Sequence, residues 1–276
     1  MITRRTLVSG LAAGAATLVS SATARAAEAP WRPAAPFIQP VTRLVPAAGG
    51  VALSKGWCGT KVSLVQRAVG LAPRREMYDD TTRRRVLTFQ RRTGLPATGI
   101  VDVRTWAALR TGQPWTIDAW RPSIAVSTRA TRSQRIEAMI RYAVAQQGSP
   151  YTWGGAGPKA LGHDCSGLVL AALAAAGIDP QPITVTKHQS PGYVTTQALY
   201  TARFEHVPVA RRQRGDLVFW IGPNGITNHV AIYLGAGRMV EASGSAGRTR
   251  VANLRFSSPG HRLAPVAVRP FTTRTR

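Results

Sequence analysis

Five short apolar runs, DLVFW, HVAIYL, RMVEA, RVANL and APVAV, are spread over residues 216–268 with glycine-bearing turns between several of them. Runs this short, rich in β-branched and aromatic residues and bounded by glycine, make strands rather than helices. Upstream the pattern changes. TRSQRIEAMIRYAVAQQG, residues 131–148, puts Ile136, Met139, Ile140 and Ala143 on one helical face, opens on the capping-box spacing Thr131 to Gln134, and stops at Gly148. Helices first and strands afterwards predict an α+β domain over 131–270, with helices packed on an antiparallel sheet.

The chain of 276 residues leaves room for a second, small domain. Residues 55–112 read as three short helical pieces. The first carries Val62, Val65 and Val69; Asp80 can cap a second that buries Val86 and Phe89; Trp106 and Leu109 belong to the third, beyond the glycine-punctuated turn GLPATGIVD. They predict a small all-α three-helix bundle. Residues 27–54 and 113–130, which lack helical or strand periodicity, read as linkers.

Residues 1–26 read as an export signal: a basic start, an apolar stretch from Leu7 to Val19, and small residues at Ala22, Ala24 and Ala26 for cleavage. The run Thr3-Arg4-Arg5-Thr6-Leu7 resembles a twin-arginine signal, with an ordinary secretory start as the alternative. The apolar stretch is too short to span a bilayer, so the mature chain is expected near Ala27, secreted and without a membrane span.

The formal charge of +24 comes almost wholly from arginine, since lysine stands only at Lys55, Lys61, Lys159 and Lys187. An anionic partner is implied. The basic residues are spread along the chain without interleaved aromatics or a groove-reading motif, which argues against nucleic acid. Anionic polymers of a cell wall fit the export signal better, and an arginine-rich genome is the bland alternative.

Two cysteines, Cys58 and Cys165, permit at most one bridge. A thiol that stays free in an oxidising compartment is more often kept for its reactivity. In GHDCSGLVLAA, Asp164 is placed to cap a helix whose first turn holds Cys165 and which runs through Leu168, Val169, Ala172 and Leu173 toward Gly177. Free backbone N–H groups and the positive helix end favour a thiolate there. The alternative is a small buried hydrophobe.

A nucleophilic thiol needs a base, and five histidines are available: His163, His188, His206, His229 and His261. His229 opens the run HVAIYL, where rigid backbone can aim an imidazole; His163 is too close in sequence to Cys165 to face it, and the other three lie in loop-like surroundings. The base needs an acceptor for its second nitrogen. If HVAIYLGAGRMVEAS is a hairpin turning at Gly235-Ala236-Gly237, Leu234 opposes Arg238 and His229 opposes Ser243. Glu241 is then the diagonal neighbour of His229, about 7 to 8 Å away between backbones. A two-residue turn would slip the register by one and send Glu241 to the other face.

Residues 131–270 resemble the NlpC family of papain-like cell-wall cysteine peptidases. The resemblance rests on GSPYTWGGAGPKALGHDCSGLVLAALAAAGI, RGDLVFW and NHVAIYLGAGRMVEAS, which contain the family's four blocks in order. It implies a papain-like fold, with Cys165 as nucleophile, His229 as base and Glu241 as third residue. The glutamate is similar to that of mycobacterial Rip-type endopeptidases, where many members have His, Asn or Gln. Tyr151 matches the family's cleft tyrosine, and the N–H of Cys165 is a candidate oxyanion donor. Asp164 and Ser166 match the motif in structural or substrate-contact roles. The stretch PITVTKHQSPGY departs from the family's usual Arg-Thr/Ser pattern, which puts the substrate-facing loop in question. SLVQRAV and DDTTRRRVLTFQRRTGLPATGIVDVRTWAAL resemble a peptidoglycan-binding domain of the three-helix type.

Together the resemblances imply a secreted hydrolase of peptidoglycan that cuts a γ-D-glutamyl to diamino-acid bond through a thioester. No metal or cofactor is expected. The alternatives are a non-catalytic wall-binding protein and an amidase or acyltransferase on the same fold.

Overall fold

The computed structural model describes residues 41–44, 49–72, 77–179, 195–258 and 260–272. Residues 1–26, read above as an export signal, most of the 27–54 segment, the PITVTKHQSPGY stretch and His188 lie outside the described residues. No helix among the described residues is long and apolar enough to cross a membrane.

Three helices form in the N-terminal part: α1 Thr60–Ala68, α2 Asp80–Arg92 and α3 Val103–Leu109. Their buried faces carry Val62, Val65, Val86, Trp106 and Leu109, which share one core with Leu53, Tyr78 and Val101. Asp79, not Asp80, caps α2: its carboxylate accepts the Thr82 N–H at 2.7 Å, while Asp80 lies one residue inside the helix and pairs with Lys55. The cap must be the extended residue just outside the first turn, which Asp79 is.

The 113–130 stretch is packed rather than free. Ile117 is buried in the small core, with Trp115 and Trp120 against it, while Ile124 and Val126 pack on the larger core downstream. Irregular backbone carries no period, so these contacts leave no pattern in the sequence. Asp118 accepts the N–H groups of Gly50 and Val51 and pairs with fully buried Lys61, whose amine lies 3.5 Å from the centre of the Trp115 ring. Burial pushes the Lys61 amine down to about 8, against the pull of Asp118. Removing one partner of a buried pair leaves an uncompensated charge, so Lys61→Met is expected to destabilise this part by about 3 kcal/mol. A melt followed by tryptophan fluorescence checks it, because Trp106 and Trp115 flank the amine.

The C-terminal part contains α4 Arg132–Ala145, α5 Cys165–Ala175 and α6 Thr196–Tyr200, followed by the strands. The capping box of α4 forms as expected, Thr131 and Gln134 exchanging side-chain bonds with each other's backbone N–H. Every residue of α5 is buried, in keeping with its apolar character on all sides. Fully buried Arg135 of α4 covers the end of α5, donating to the carbonyls of Ala176 at 2.9 Å and Thr128 at 2.7 Å.

The strands are β1 Glu205–Pro208, β2 Leu217–Ile221, β3 Thr227–Gly235, β4 Arg238–Ser243, β5 Arg248–Asn253, β6 Ser257–Ser258, β7 His261–Leu263 and β8 Val266–Arg269. They form one antiparallel sheet in the order β1-β8-β2-β3-β4-β5, with β7 also on β2 and β6 on β7. Helices and strands meet as an α+β domain. One sheet face gives Leu217, Phe219, Val230, Ile232 and Val240 to the core shared with α4 and α5; the other carries a smaller cluster around Val218, Trp220, Tyr233 and Met239.

The two parts share a surface. A β-carbon at Gly157 would lie 2.8 Å from the Trp120 ring, and Leu161 packs against the core of the three helices. Both belong to the loop that leads directly into α5.

Candidate active site

Asp164 begins the site. Its backbone is extended, and its Oδ1 accepts the Gly167 N–H at 2.7 Å, so the chain turns into α5 at Cys165. Its Oδ2 takes the Gly154 N–H at 2.9 Å, and its own N–H donates to the Gly155 carbonyl at 2.9 Å. Asp164 therefore ties the 150–163 loop to the start of the helix. Ser166 is buried and donates its hydroxyl to Asp164 at 3.1 Å, which places it in the same support.

Gly167 is the other half of that junction. A β-carbon there would collide with the Gly155 carbonyl oxygen and lie 2.9 Å from the carbonyl carbon behind it. Only glycine lets the loop approach the first turn this closely.

Cys165 is 9% exposed and, like Cys58, is not in a disulfide. The backbone N–H of Cys165 has no acceptor among the described residues, as expected for the first position of a helix. Cys165 lies close enough to His229 to raise the titration of the imidazole. His229 lies near the start of β3, opposite Trp220, and Asn228 is the extra residue where the β2–β3 register shifts. A bulge beside a strand residue re-aims its side chain, which suits an imidazole that must meet the end of a helix.

His229 Nε2 lies 2.7 Å from Glu241 Oε2. The turn that brings them together is not the expected three-residue one. Arg238 pairs with Gly235, so the turn residues are Ala236 and Gly237, both with positive φ. A bulge at Leu234 adds one residue to β3, and past it Tyr233 pairs with Met239 and Ile232 with Val240. The bulge cancels the slip that a two-residue turn introduces, so His229 and Glu241 keep the same face.

Glu241 is fully buried and serves three cationic partners. Besides His229 it accepts Arg250 Nε at 3.0 Å and Arg255 Nη2 at 3.1 Å. Burial alone would raise this carboxyl, but the hydrogen bonds from His229 and Arg255 bring it down to about 2. Burial alone would lower His229, yet its interactions with Cys165 and Glu241 hold it up to about 9. At neutral pH the ring is an imidazolium between a sulfur and a carboxylate, an arrangement that can store a nucleophile's proton and deliver it to a leaving group.

The other histidines among the described residues have other surroundings. His163 is fully buried, with Nδ1 3.0 Å from the Ser149 hydroxyl, and burial pushes it down to about 4 despite Asp164. His206 lies with its ring nitrogens 2.9 and 2.7 Å from the carbonyls of Phe204 and Tyr200. His261 stands in β7 opposite Ser258. Tyr151 is half-buried against the core that contains Cys165, its N–H donating to Gly247 at 2.8 Å and its ring facing Gly244. Arg250 and Arg255 were not among the sequence candidates. Arg250 directly opposes Glu241 across β4 and β5, so the register of the RVANL strand carried a signal for it.

Residues 148–266 match the model of the NlpC/P60 family, and residues 62–109 match that of the "Putative peptidoglycan binding domain". The chain is similar to the peptidoglycan endopeptidase RipB of Mycobacterium tuberculosis, 39% identical over 138 residues that make up 46% of this chain and 51% of RipB. It is 37% identical to RipA of the same species over 147 residues, 49% of this chain and 27% of RipA. The solved structure of RipB overlaps 52% of this chain and 68% of its own at 37% identity, with a TM-score of 0.41. The chain thus spans about half the length of the curated relative RipB.

Proposed function

We propose that this chain, whose residues 148–266 match the NlpC/P60 family model, is a secreted peptidoglycan hydrolase, a cysteine endopeptidase acting on the stem peptide. The observation that carries this reading is the grouping of Cys165, His229 and Glu241, with a 2.7 Å bond between the last two. Cys165 attacks the carbonyl carbon as a thiolate, its proton residing on His229. The Cys165 N–H at the helix start is positioned to receive the developing oxyanion, and Tyr151 borders the same core. Collapse of the tetrahedral species breaks the C–N bond, His229 gives its proton to the departing amine, and a thioester remains. Water then attacks the thioester with His229 as base, releasing the acid and restoring the thiol.

The bond cut is that between a γ-D-glutamyl residue and a diamino acid, in line with the family. The three-helix part, which matches a peptidoglycan-binding domain, holds the catalyst on its polymeric substrate and raises the local concentration of cleavable bonds. The charge of +24 adds attraction to anionic wall polymers.

The test is digestion of purified sacculi followed by mass spectrometry of the soluble fragments. New amino termini on a diamino acid support the reading. Free lactyl groups from an amidase, or transfer products from an acyltransferase, would replace it, and no soluble product would favour a wall-binding protein. That last reading is disfavoured because its simplest route is loss of a member of this group, and all three residues are present.

The rate has a pH signature. His229 must be protonated to release the amine, and its titration is raised to about 9, so the active form is present below that value and is lost above it. Fragment release is expected to hold up to pH about 9 and then fall tenfold per unit. Glu241, ionised down to about 2, contributes no acid limb in the working range. A stopped-time release assay across the alkaline range checks this.

A further inference from the structure

A buried carboxylate that only had to orient one imidazole would need one strong partner. Glu241 has three. Arg250, across the β4–β5 ladder, brings Nε to Oε1 at 3.0 Å and Nη2 to the same oxygen at 3.0 Å. Arg255, just past β5, spans both oxygens, with Nη1 3.2 Å from Oε1 and Nη2 3.1 Å from Oε2. Oε2 is therefore shared between Arg255 and His229, while Oε1 belongs to the arginines.

Arg255 is itself held in place. Its carbonyl accepts the Trp220 indole N–H at 3.1 Å, and its guanidinium lies 5.9 Å from the centre of that ring. The other neighbour of the Trp220 ring is His229, with ring centres 5.3 Å apart. Trp220, Arg255 and Glu241 thus form one cluster with the imidazole. The charged and titratable groups facing Glu241 are His229 from β3, Arg250 from β5 and Arg255 from the segment after β5, with Cys165 of α5 beyond the imidazole.

We propose that Arg250 and Arg255 are positioning residues of the reaction: they fix the plane of the Glu241 carboxylate so that one oxygen addresses His229, and they compete with the imidazole for its charge. The proposal rests on the hydrolase reading for its catalytic meaning, but its electrostatic content does not. Two guanidiniums on a single carboxylate leave His229 a weaker hold than an isolated pair would give. The imidazolium is then acidic enough to surrender its proton to the leaving amine within the turnover. The planar, two-pronged geometry requires arginine, since a lysine supplies charge at one point only.

The experiment combines NMR titration of the His229 ring with kcat and KM for fragment release, in wild type, Arg255→Gln, Arg250→Gln and Arg255→Lys. Circular dichroism and melting monitor folding. With Arg255→Gln the ring is expected to titrate about one pH unit higher, because a nearby cation is gone and Glu241 is freed for His229. The alkaline limb of kcat should follow it, with kcat down about tenfold and KM within twofold. Arg250→Gln should act in the same direction. Arg255→Lys should return the titration toward wild type and leave kcat depressed, separating charge from geometry. Folded variants whose His229 titration does not move would overturn the proposal, as would losses of kcat that only follow the folded fraction. An inactive wild type with the titration shift intact would count against the hydrolase reading and leave the electrostatic assignment standing.

Discussion

Replacing Cys165 by alanine is expected to lower the release of stem-peptide fragments by about 10⁵-fold or more, to the limit of detection, because removal of the attacking atom ends covalent catalysis outright. The fold should tolerate the change. Position 165 is the first residue of α5, where alanine is favourable, and the Asp164 cap reaches the Gly167 backbone rather than the thiol. The loss of one buried sulfur costs about 1 kcal/mol, and melting should show no more than that. Binding to sacculi should survive, since neither the three-helix part nor the basic surface is touched. Undiminished release by a folded Cys165→Ala protein would refute the thiol mechanism. Cys165→Ser should also be nearly silent, because an alcohol is a far weaker acid than a thiol and draws little benefit from the imidazolium of His229.

Gly167→Ala should also be damaging, although the residue touches no substrate. Its new methyl would strike the Gly155 carbonyl, and Gly155 cannot retreat because its own surroundings are closed: a β-carbon at that position would sit 2.8 Å from the Gly162 carbonyl. Moving the Gly155 oxygen breaks its bond from Asp164 N–H, and Asp164 caps the turn that carries Cys165. Overpacking of this kind costs about 3 kcal/mol, and a displacement of about 1 Å at the sulfur costs about 100-fold in rate. The control is Gly244→Ala, where the nearest atom is the Tyr151 ring at 3.4 Å, an ordinary contact. Equal activity of Gly167→Ala and wild type would show that the loop does not brace the nucleophile.

Cys165 could be placed from the sequence because helix capping is local: an aspartate, the next residue and an N–H three positions on are enough to define the first turn. The pairing of His229 with Glu241 was legible in outcome but not in route. The strand alternation was readable, whereas the bulge at Leu234 that restores it after a tight turn has no marker in the sequence. Arg255 was out of reach for a different reason. It arrives from irregular chain, and its place beside Glu241 is set by a tryptophan on another strand. The same holds for Trp115, Ile117 and Trp120, which pack from a segment with no period at all.

Trp120 against Gly157 also limits how the two parts work together. An anchor on a loose string lets its catalyst sweep a volume, and its gain depends on the string's length. If the three-helix part is the anchor proposed above, its contact with the loop that leads into α5 makes shape, rather than the length of a string, set its reach. On the proposed reading such a molecule would cut where it sits down, and to reach the next bond it would have to let go.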